Sequence, residues 1–274
     1  MLGAIIGDTI GSIYEFDNLK TKLFPLFIKG STPTDDSIMT LAIMEMLQKG
    51  ILDDKNKIID TFKKWGRAYP YAGYGGHFFN WLFSKAREPY NSCGNGSAMR
   101  ISAVGFYASS EEEVKKWAKA VTEVTHNHPE GLKGAEVTAM CIFYARIGKD
   151  KEFIRKYVEQ YYNINFDYEE LRKTYKFGAV CQNTVPQAIY CFLISESFED
   201  CIKTTVSIGG DCDTTSAISG AIAEAYYKDI PKWIIKETLA RLPKEVDGCN
   251  AYRVLKNYYK DIDFNIMNEV GSIE

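Results

Sequence analysis

The sequence has little of what zinc sites, membrane spans and nucleic-acid arms require. It contains three histidines and seven scattered cysteines, and it has no C-x-x-C pair of the kind found in zinc or redox motifs. Its apolar start is interrupted by Asp8, well short of the ~20 residues that a membrane span needs. No block of like charge marks a nucleic-acid arm or a membrane patch. These absences predict a cytoplasmic protein with reduced, buried thiols and no membrane contact.

Segments that alternate β-branched and polar residues between hairpin turns are also missing, whereas helical periodicity recurs along the chain. With 274 residues, 46% of them hydrophobic, and a net charge of −3, the chain can bury a large core. We expect an all-α, single compact domain over 1–274 that is monomeric. The predicted helices are 3–16, 38–47, 101–107, 133–144, 153–162, 186–194, 198–206, 215–227, 232–242 and 252–258.

The most informative stretch runs from Ser207 to Thr215 and reads Ser-Ile-Gly-Gly-Asp-Cys-Asp-Thr-Thr. Its two glycines allow a sharp turn, and Asp211 and Asp213, two residues apart, can converge on one cation. The alternative is helix capping, since Asp and Thr at a helix start accept free backbone N–H groups. Taken alone, this stretch does not decide between a metal site and a cap.

A second acid pair lies in Thr34-Asp35-Asp36-Ser37, again directly before an apolar helical segment. Folding both pairs together without a cation would place like charges in a low dielectric, which raises their pKa values and costs stability. Carboxylates and hydroxyls without clustered imidazole or thiolate favour Mg²⁺, Mn²⁺ or Ca²⁺ over Zn²⁺. Two acid pairs therefore predict a shared divalent-metal site at helix N-termini.

The N-terminal helix carries Gly3, Gly7 and Gly11 on one face, and such small residues permit close packing of two backbones. Asp8 and Glu15 lie seven residues apart, so either could point toward the acid pairs. We predict Glu15 for the site; the alternative is a solvated surface acid.

Two glycine-rich segments follow. The segment 68–81 mixes glycines with aromatics, which suits a substrate lid or a packed surface loop, and core packing is favoured for the aromatics. The segment 93–100, Cys-Gly-Asn-Gly-Ser-Ala-Met-Arg, could hold an anion at a helix start, although from the residues alone a plain turn is favoured.

Five motifs in order resemble the ADP-ribosylglycohydrolase family, the relatives of dinitrogenase reductase-activating glycohydrolase, over nearly the whole chain. They are Gly3 to Asp8 with Glu15, Thr34 to Ser37, Gly94 to Arg100, Thr125-His126, and Gly209 to Thr215. The resemblance implies an all-α fold with two Mg²⁺ ions, for which Mn²⁺ is a substitute, at the bottom of a cleft. The implied metal ligands are Thr34, Asp35, Asp36, Asp211, Asp213 and Thr214.

The reaction implied by the resemblance is hydrolysis of the bond between the distal ribose of ADP-ribose and an acceptor. Glu15 and Asp36 are the expected catalytic residues, with Glu15 as the base that deprotonates water. The acceptor is expected on a protein, a small conjugate or a nucleic acid. The expected substrate contacts are Gly94, Asn95, Gly96, Ser97, Met99 and His126, with Tyr74 and Gly75 near the opening.

The sequence departs from the family pattern at several positions. Ser37 stands where many relatives have Thr, Cys212 lies between two proposed ligands, and Ala103 replaces an expected Pro. No acid occurs from Gly66 to Arg87, where arginine-directed relatives have an aspartate, and this weakens arginine as the modified residue.

Two other hypotheses about the function stay open at this point. One is a non-catalytic binding or structural protein on the same fold, because the family resemblance extends to lens crystallins. The other is phosphoester hydrolysis by two metals, which would release phosphate instead of ADP-ribose.

Overall fold

A computed structural model of the chain describes residues 1–262, and within that range it contains helices and no β-strand. This confirms the all-α prediction. The last segment of the predicted 1–274 domain, 263–274, lies outside the described residues. The helices are α1 Leu2–Gly11, α2 Asp35–Gln48, α3 Lys55–Ala68, α4 Gly76–Phe83, α5 Gly96–Met99, α6 Ser102–Tyr107, α7 Glu111–Thr122, α8 Pro129–Arg146, α9 Lys151–Val158, α10 Tyr168–Thr174, α11 Val185–Ile194, α12 Phe198–Val206, α13 Cys212–Tyr227, α14 Lys232–Leu239 and α15 Ala251–Tyr258.

The first predicted helix was too long at its C-terminal end. It was expected over 3–16, but α1 ends at Gly11 and the chain continues in turns to Asn18, which has a positive φ of 48°. Gly, Ser, Asp and Asn are poor helix formers and favour turns, so the apolar residues Ile13 and Phe16 do not extend the helix. Glu15 therefore lies on a turn.

Five helices were not predicted: α3, α4, α5, α7 and α10. Three of them carry clear start signals, because the side chains of Asp54, Ser110 and Asp167 accept N–H bonds at the starts of α3, α7 and α10. The segment 68–81 was read as one glycine-rich loop, yet its second half is α4, which buries Phe78 and Trp81. The glycines before α4 obscured its apolar face.

Helices α1 and α13 pack antiparallel with their backbones in close contact, as the small-residue face predicted. A Cβ added at Gly3 would lie 2.2 Å from the Gly220 carbonyl oxygen, and one at Gly7 would lie 2.0 Å from that of Ser216. At Gly11 the same atom would lie 2.4 Å from the Cys212 oxygen. Three glycines spaced by four residues thus bring the start of α13 against the end of α1.

Helix α13 also packs on α8, α11 and α12, and one hydrophobic core joins these helices to α1 and α2. A smaller apolar cluster beneath α10 contains Tyr175, Tyr190 and Ile208. Among the described helices, none combines the length and the hydropathy that a membrane crossing requires. The packing places the N-termini of α2 and α13 side by side.

Candidate active site

Six carboxylates from three parts of the chain gather where α1, α2 and α13 meet, and we call them the acid floor. Oxygens of Asp8, Asp36 and Asp213 all lie within 4.8 Å of one another, and so do those of Glu15, Asp211 and Asp213. The two groups share one member, so they form one continuous cluster. With Asp35, which lines the same cleft and neighbours Asp36 in the chain, the acid floor consists of Asp8, Glu15, Asp35, Asp36, Asp211 and Asp213.

Asp8 belongs to this cluster, although it was not among the predicted site residues. Its side chain accepts hydrogen bonds from the backbone N–H of Thr34 at 2.8 Å and of Ser37 at 3.0 Å. It also accepts from both hydroxyls, with 2.7 Å to Thr34 Oγ1 and a short contact to Ser37 Oγ. Asp8 thus ties α1 to the start of α2 and fixes the position of the second acid pair.

Two consecutive glycines set the entry to α13. Gly209 and Gly210 have φ values of 72° and 76°, a backbone region that residues with a Cβ rarely adopt. A Cβ at Gly209 would lie 2.4 Å from Asn18 Oδ1, and one at Gly210 would lie 2.5 Å from the Tyr175 ring. This sharp turn brings Asp211 and Asp213 to the cleft, and it packs against protein on its outer side.

Capping explains only part of the acid-rich motifs. Thr34 is the N-cap of α2, and its hydroxyl accepts from the Asp36 N–H at 3.4 Å. Asp211 is the N-cap of α13 but makes no side-chain cap hydrogen bond. It accepts instead from Asn95 Nδ2 at 2.6 Å. The carboxylate of Asp211 therefore faces the cleft and does not cap α13.

The carboxyl groups of the acid floor are hard to ionise together. Burial raises the pKa of Asp8 to about 6 and, with Asp8 and Asp211 adding to the effect, that of Asp35 to about 8. Burial, then the neighbouring acid Asp8, raises the pKa of Asp36 well above its usual range. Burial followed by Asp36 does the same for Asp213. The cluster is unfavourable as a set of anions without compensating positive charge.

The donor set fits hard divalent cations. Asp36 Oδ1 is buried and has no hydrogen-bond partner, although a buried carboxylate oxygen ordinarily has one. The groups around it are carboxylates and the hydroxyls of Thr34 and Thr214, which are ligands of Mg²⁺ or Mn²⁺. The site thus has the acids and the orphaned oxygen that a metal pair would engage.

Glu15 lies on the turn after α1, half-buried at the edge of the acid floor. Burial raises its pKa to about 7, and the nearby Asp211 and Asp8 add to the rise. A carboxyl group with this pKa at a cleft can accept a proton near neutral pH. The structure thus places Glu15 half-buried beside Asp211 and Asp213.

A cleft of about 380 Å³ opens above the acid floor. Among the predicted substrate contacts, Tyr74 and Ser97 do not line it. The Tyr74 ring lies 5.7 Å from that of Phe78, and Ser97 Oγ donates to the Gly131 carbonyl oxygen at 2.8 Å. The predicted residues that do line the cleft are Glu15, Thr34, Asp35, Asp36, Gly75, Gly94, Asn95, Gly96, Met99, His126, Asp211, Asp213 and Thr214.

Asn95 connects two of the motifs. Besides its bond to Asp211, its Nδ2 donates to Thr184 Oγ1 at 3.0 Å, and its side chain is 7% exposed. The helix that follows, α5, has only four residues, so the predicted helix-start anion site is reduced to a turn. Asn95 thus holds a carboxylate of the acid floor in place in addition to lining the cleft.

His126 lies in the wall of the cleft and is uncharged. Its Nδ1 is 2.8 Å from Thr125 Oγ1 and 3.5 Å from Arg100 Nη2. Burial, and then the charge of Arg100, lower the pKa of His126 well below its usual range. Its other nitrogen, Nε2, faces Gly96, because a Cβ built there would lie 3.2 Å from it. A neutral imidazole next to the glycine turn can hydrogen-bond a ligand without adding charge.

Several cleft residues were not predicted, and their signals are weak in sequence. Arg100 is buried between the Phe62 and Phe78 rings at 4.4 and 5.4 Å, and its Nε has no hydrogen-bond partner. Phe177 lies at the rim and stacks on the exposed Phe16 with ring centroids 6.1 Å apart. Phe177 belongs to a segment without a motif. Arg100 ends the motif Gly94 to Arg100, but no role was expected for it.

The chain is similar to known proteins over most of its length. The family described as ADP-ribosylglycohydrolase matches residues 1–259. An ADP-ribosylhydrolase ARH3 from Gallus gallus is 26% identical, with 85% of this chain and 86% of the relative covered. An ADP-ribosyl-[dinitrogen reductase] glycohydrolase from Rhodospirillum rubrum is also 26% identical, covering 86% and 87%.

A solved structure agrees in fold. It is described as an ADP-ribosylglycohydrolase-related protein complex, and it superposes with a TM-score of 0.62 at 23% identity. The match covers 92% of this chain and 96% of the other. The family match extends over all the helices described above, from α1 to α15. The chain belongs to the ADP-ribosylglycohydrolase family.

Proposed function

We propose that this protein hydrolyses the glycosidic bond between the distal ribose of ADP-ribose and an acceptor, with Mg²⁺ bound at the acid floor. The observation that carries the proposal is the convergence of six carboxylates at the bottom of a cleft, with the buried Asp36 Oδ1 left unpartnered. Family membership supports the same reaction class, since relatives are named as ADP-ribosyl hydrolases.

The metal ligands we propose are Thr34, Asp35, Asp36, Asp211, Asp213 and Thr214. When bound, two divalent ions supply positive charge that orients the ribose hydroxyls and neutralises much of the acid floor. Asp8 holds the first ligand segment through four hydrogen bonds, and Asn95 holds Asp211. The chain thus positions its ligands from outside the site, as is typical of supporting shells.

Glu15 is the base we propose. A water molecule between Glu15 and the anomeric carbon would lose a proton to the Glu15 carboxylate as its oxygen bonds to that carbon. The bond from carbon to acceptor breaks, and the acceptor takes up a proton as Glu15 gives up the one it received, so the products are ADP-ribose and the free acceptor. Negative charge from the acid floor stabilises the oxocarbenium character that develops in the ribose.

Residues around the glycine turn are the substrate contacts we propose. Gly94, Asn95, Gly96, Met99 and His126 line the cleft beside the acid floor, where a pyrophosphate and inner ribose would lie. Gly75 lies at the opening of the cleft. We propose that Tyr74 and Ser97, which do not line the cleft, support the residues that do. The loop and helix from Gly66 to Arg87 bring no carboxylate to the opening, which disfavours a guanidinium acceptor.

The test is release of free ADP-ribose from arginine-, serine-, nucleobase- and acetyl-linked conjugates, each with Mg²⁺ and with EDTA. We expect metal-dependent release from at least one conjugate and none in EDTA. Binding of ADP-ribose with no release from any conjugate would replace this proposal with a binding role. Release of phosphate would point to phosphoester chemistry.

A further inference from the structure

A second charged region lies apart from the acid floor and has the opposite sign. It is a cavity of about 460 Å³, and we call it the basic cavity. The whole chain carries a net charge of −3, so this local excess of positive charge is not a reflection of overall composition. Its charged lining consists of one carboxylate and five cations: Asp60, Lys63, Lys64, Arg67, Lys85 and Arg87.

Lys63 is the buried member, with 6% of its surface exposed. Its Nζ donates to the carbonyl oxygens of Trp81 at 2.6 Å and Ser84 at 3.0 Å, and it lies 4.5 Å from the Trp81 ring. Within residues 1–262 it forms no ion pair with a carboxylate. An ammonium group has three N–H donors, and the two carbonyl oxygens accept from two of them. Among the described residues, the buried positive charge of Lys63 therefore keeps one donor without an acceptor.

The carbonyl groups at the end of α4 balance only part of the charge. Arg67 Nε donates to the Leu82 oxygen at 2.8 Å and Arg67 Nη2 to that of Ser84 at 3.2 Å. Glu45, which lies outside the lining, pairs with Lys64 at 3.6 Å. A helix C-terminus is equivalent to about half a negative charge, far less than the three cations that have no carboxylate partner among the described residues, Lys63, Arg67 and Lys85. Arg87 is held by Asp60 at 2.7 Å, whereas Lys85 is exposed and makes no hydrogen bond or ion pair in the described part of the chain.

The basic cavity is connected to the cleft by two short segments. Helix α4 begins at Gly76, which lines the cleft, and its eight residues span about 12 Å to the basic cavity. From there the chain runs back through Lys85 and Arg87 to Tyr90 and Ser92, which line the cleft again. The cleft and the basic cavity are therefore joined along the chain by α4 and by the segment 85–92.

We propose that the basic cavity binds backbone phosphates of a single-stranded nucleic acid whose ADP-ribosylated nucleotide occupies the cleft. This inference rests on the proposed function, because the cleft must accept the ADP-ribose group. Repeated phosphates match a cluster of Lys and Arg in which Asp60 and Glu45 pair with only two of the five cations. A concave site of this size accommodates a strand and not a duplex, and strand-binding proteins use such positively charged grooves.

The test measures binding of an unmodified, fluorescein-labelled oligothymidylate by fluorescence anisotropy over a range of salt concentrations. In the double variant Arg67→Ala/Lys85→Ala we expect about tenfold weaker binding and a salt slope lower by about 1.4, as for two lost single-strand phosphate contacts. The matched control is Lys115→Ala/Lys119→Ala, which removes two exposed lysines of α7 and should leave binding unchanged. Lys85→Glu alone, at a side chain that has no hydrogen bond or ion pair within residues 1–262, should also weaken binding.

Several results would overturn the inference. These are no binding by the wild type, equal losses in both double variants, full displacement of the oligonucleotide by ADP-ribose, or equal binding of polyglutamate. A small ADP-ribose conjugate serves to separate the two proposals, and its hydrolysis should be the same in wild type and in Lys85→Glu. If the wild type hydrolyses no conjugate but the variants still lose oligonucleotide binding, the proposed function fails and the basic cavity stands.

Discussion

The acid floor and the basic cavity are opposite in charge, yet each is built at the end of a helix whose backbone favours that charge. Four of the six acids, Asp35, Asp36, Asp211 and Asp213, lie at the starts of α2 and α13, where free N–H groups stabilise anions. The cations surround the last carbonyls of α4. In both regions the chain assembles more charge of one sign than it balances, and this is what a site for a charged ligand requires.

The two regions differ in how rigidly the fold holds them. The acid floor is buried and fixed by the contact of α1 with α13 and by the bonds of Asp8. The basic cavity has one buried cation, Lys63, and several exposed ones. Changes in the acid floor should therefore have large effects on chemistry and stability, whereas changes in the basic cavity should mainly alter affinity.

The largest expected effect is on the acid floor itself. Asp36→Asn removes a charge and a proposed metal ligand while keeping the shape of the side chain. We expect ADP-ribose release to fall about a thousandfold, in the range seen for loss of one electrostatic contact in an active site. Because the buried acids repel one another, the metal-free variant should unfold at an equal or higher temperature than wild type. Full activity in Asp36→Asn would remove this residue from the mechanism.

The second prediction concerns the close packing of α1 on α13, which holds the acid floor in place. Gly7→Ala places a methyl group 2.0 Å from the Ser216 carbonyl oxygen, a backbone atom that cannot move aside easily. We expect a loss of about 3 kcal/mol in the free energy of unfolding, measured with denaturant, because the helices must separate. The control is Gly76→Ala, where nothing lies within 4 Å of the new atom. Equal stability of both variants would contradict the close contact.

The stability of the metal-free protein should depend on pH in a defined direction. The pKa values of Asp8, Glu15 and Asp35 are raised to about 6, 7 and 8, so their protonated forms favour folding. In EDTA the stabilising contribution of these groups is complete below about pH 4 and is lost as the pH rises through 6 to 8.

Mg²⁺ should compensate for that loss. At a concentration of about a hundred times the dissociation constant, it should add about 2.7 kcal/mol, and the gain should be larger near pH 8 than near pH 5. Thermal unfolding with Mg²⁺ and with EDTA at both pH values measures this difference. A gain that does not change with pH would show that the ions do not compete with protons on these acids.

Asn95 supports the acid floor through a single contact, the bond from its Nδ2 to Asp211 at 2.6 Å. Removing a group that orients a metal ligand typically costs tenfold to a hundredfold in metal affinity. Asn95→Ala should accordingly need about tenfold more Mg²⁺ for half-maximal activity. Asn80→Ala, an exposed position on α4, serves as the control. An unchanged Mg²⁺ requirement in Asn95→Ala would leave this residue as a substrate contact alone.

The smallest expected effect concerns the basic cavity. Asp60 is its only carboxylate, and it pairs with Arg87 at 2.7 Å. Asp60→Asn should strengthen oligothymidylate binding about twofold, since exposed pairs contribute little and the change frees one guanidinium. Anisotropy titration at low salt measures the shift. Weaker binding in this variant would mean that Asp60 orients Arg87 for the ligand.

Sequence reasoning found the acid floor better than the basic cavity, for a physical reason. Asp35, Asp36, Asp211 and Asp213 lie in two short motifs, so their clustering is local and visible in the sequence. Asp8 was missed as a site residue because its role depends on tertiary hydrogen bonds to α2. The glycine spacing of α1 predicted close packing, and that prediction is confirmed.

The basic cavity has no such local pattern. Its cations are spread between Lys63 and Arg87, separated by aromatic and glycine residues, and only the packing of α3 against α4 brings them together. The charge count along the sequence shows no basic block for the same reason. The sequence also did not predict that Glu15 lies on a turn, because the helical periodicity continues past Gly11 although α1 ends there.

The most direct test of the acid floor is the number of divalent ions that the protein binds. We would titrate wild type, Asp36→Asn and Asp213→Asn with Mn²⁺ at about pH 8, following bound ions by electron paramagnetic resonance. We expect two ions per chain in wild type and loss of at least one in each variant. Absence of bound Mn²⁺ in wild type, or the same stoichiometry in all three proteins, would contradict a metal site built on these carboxylates.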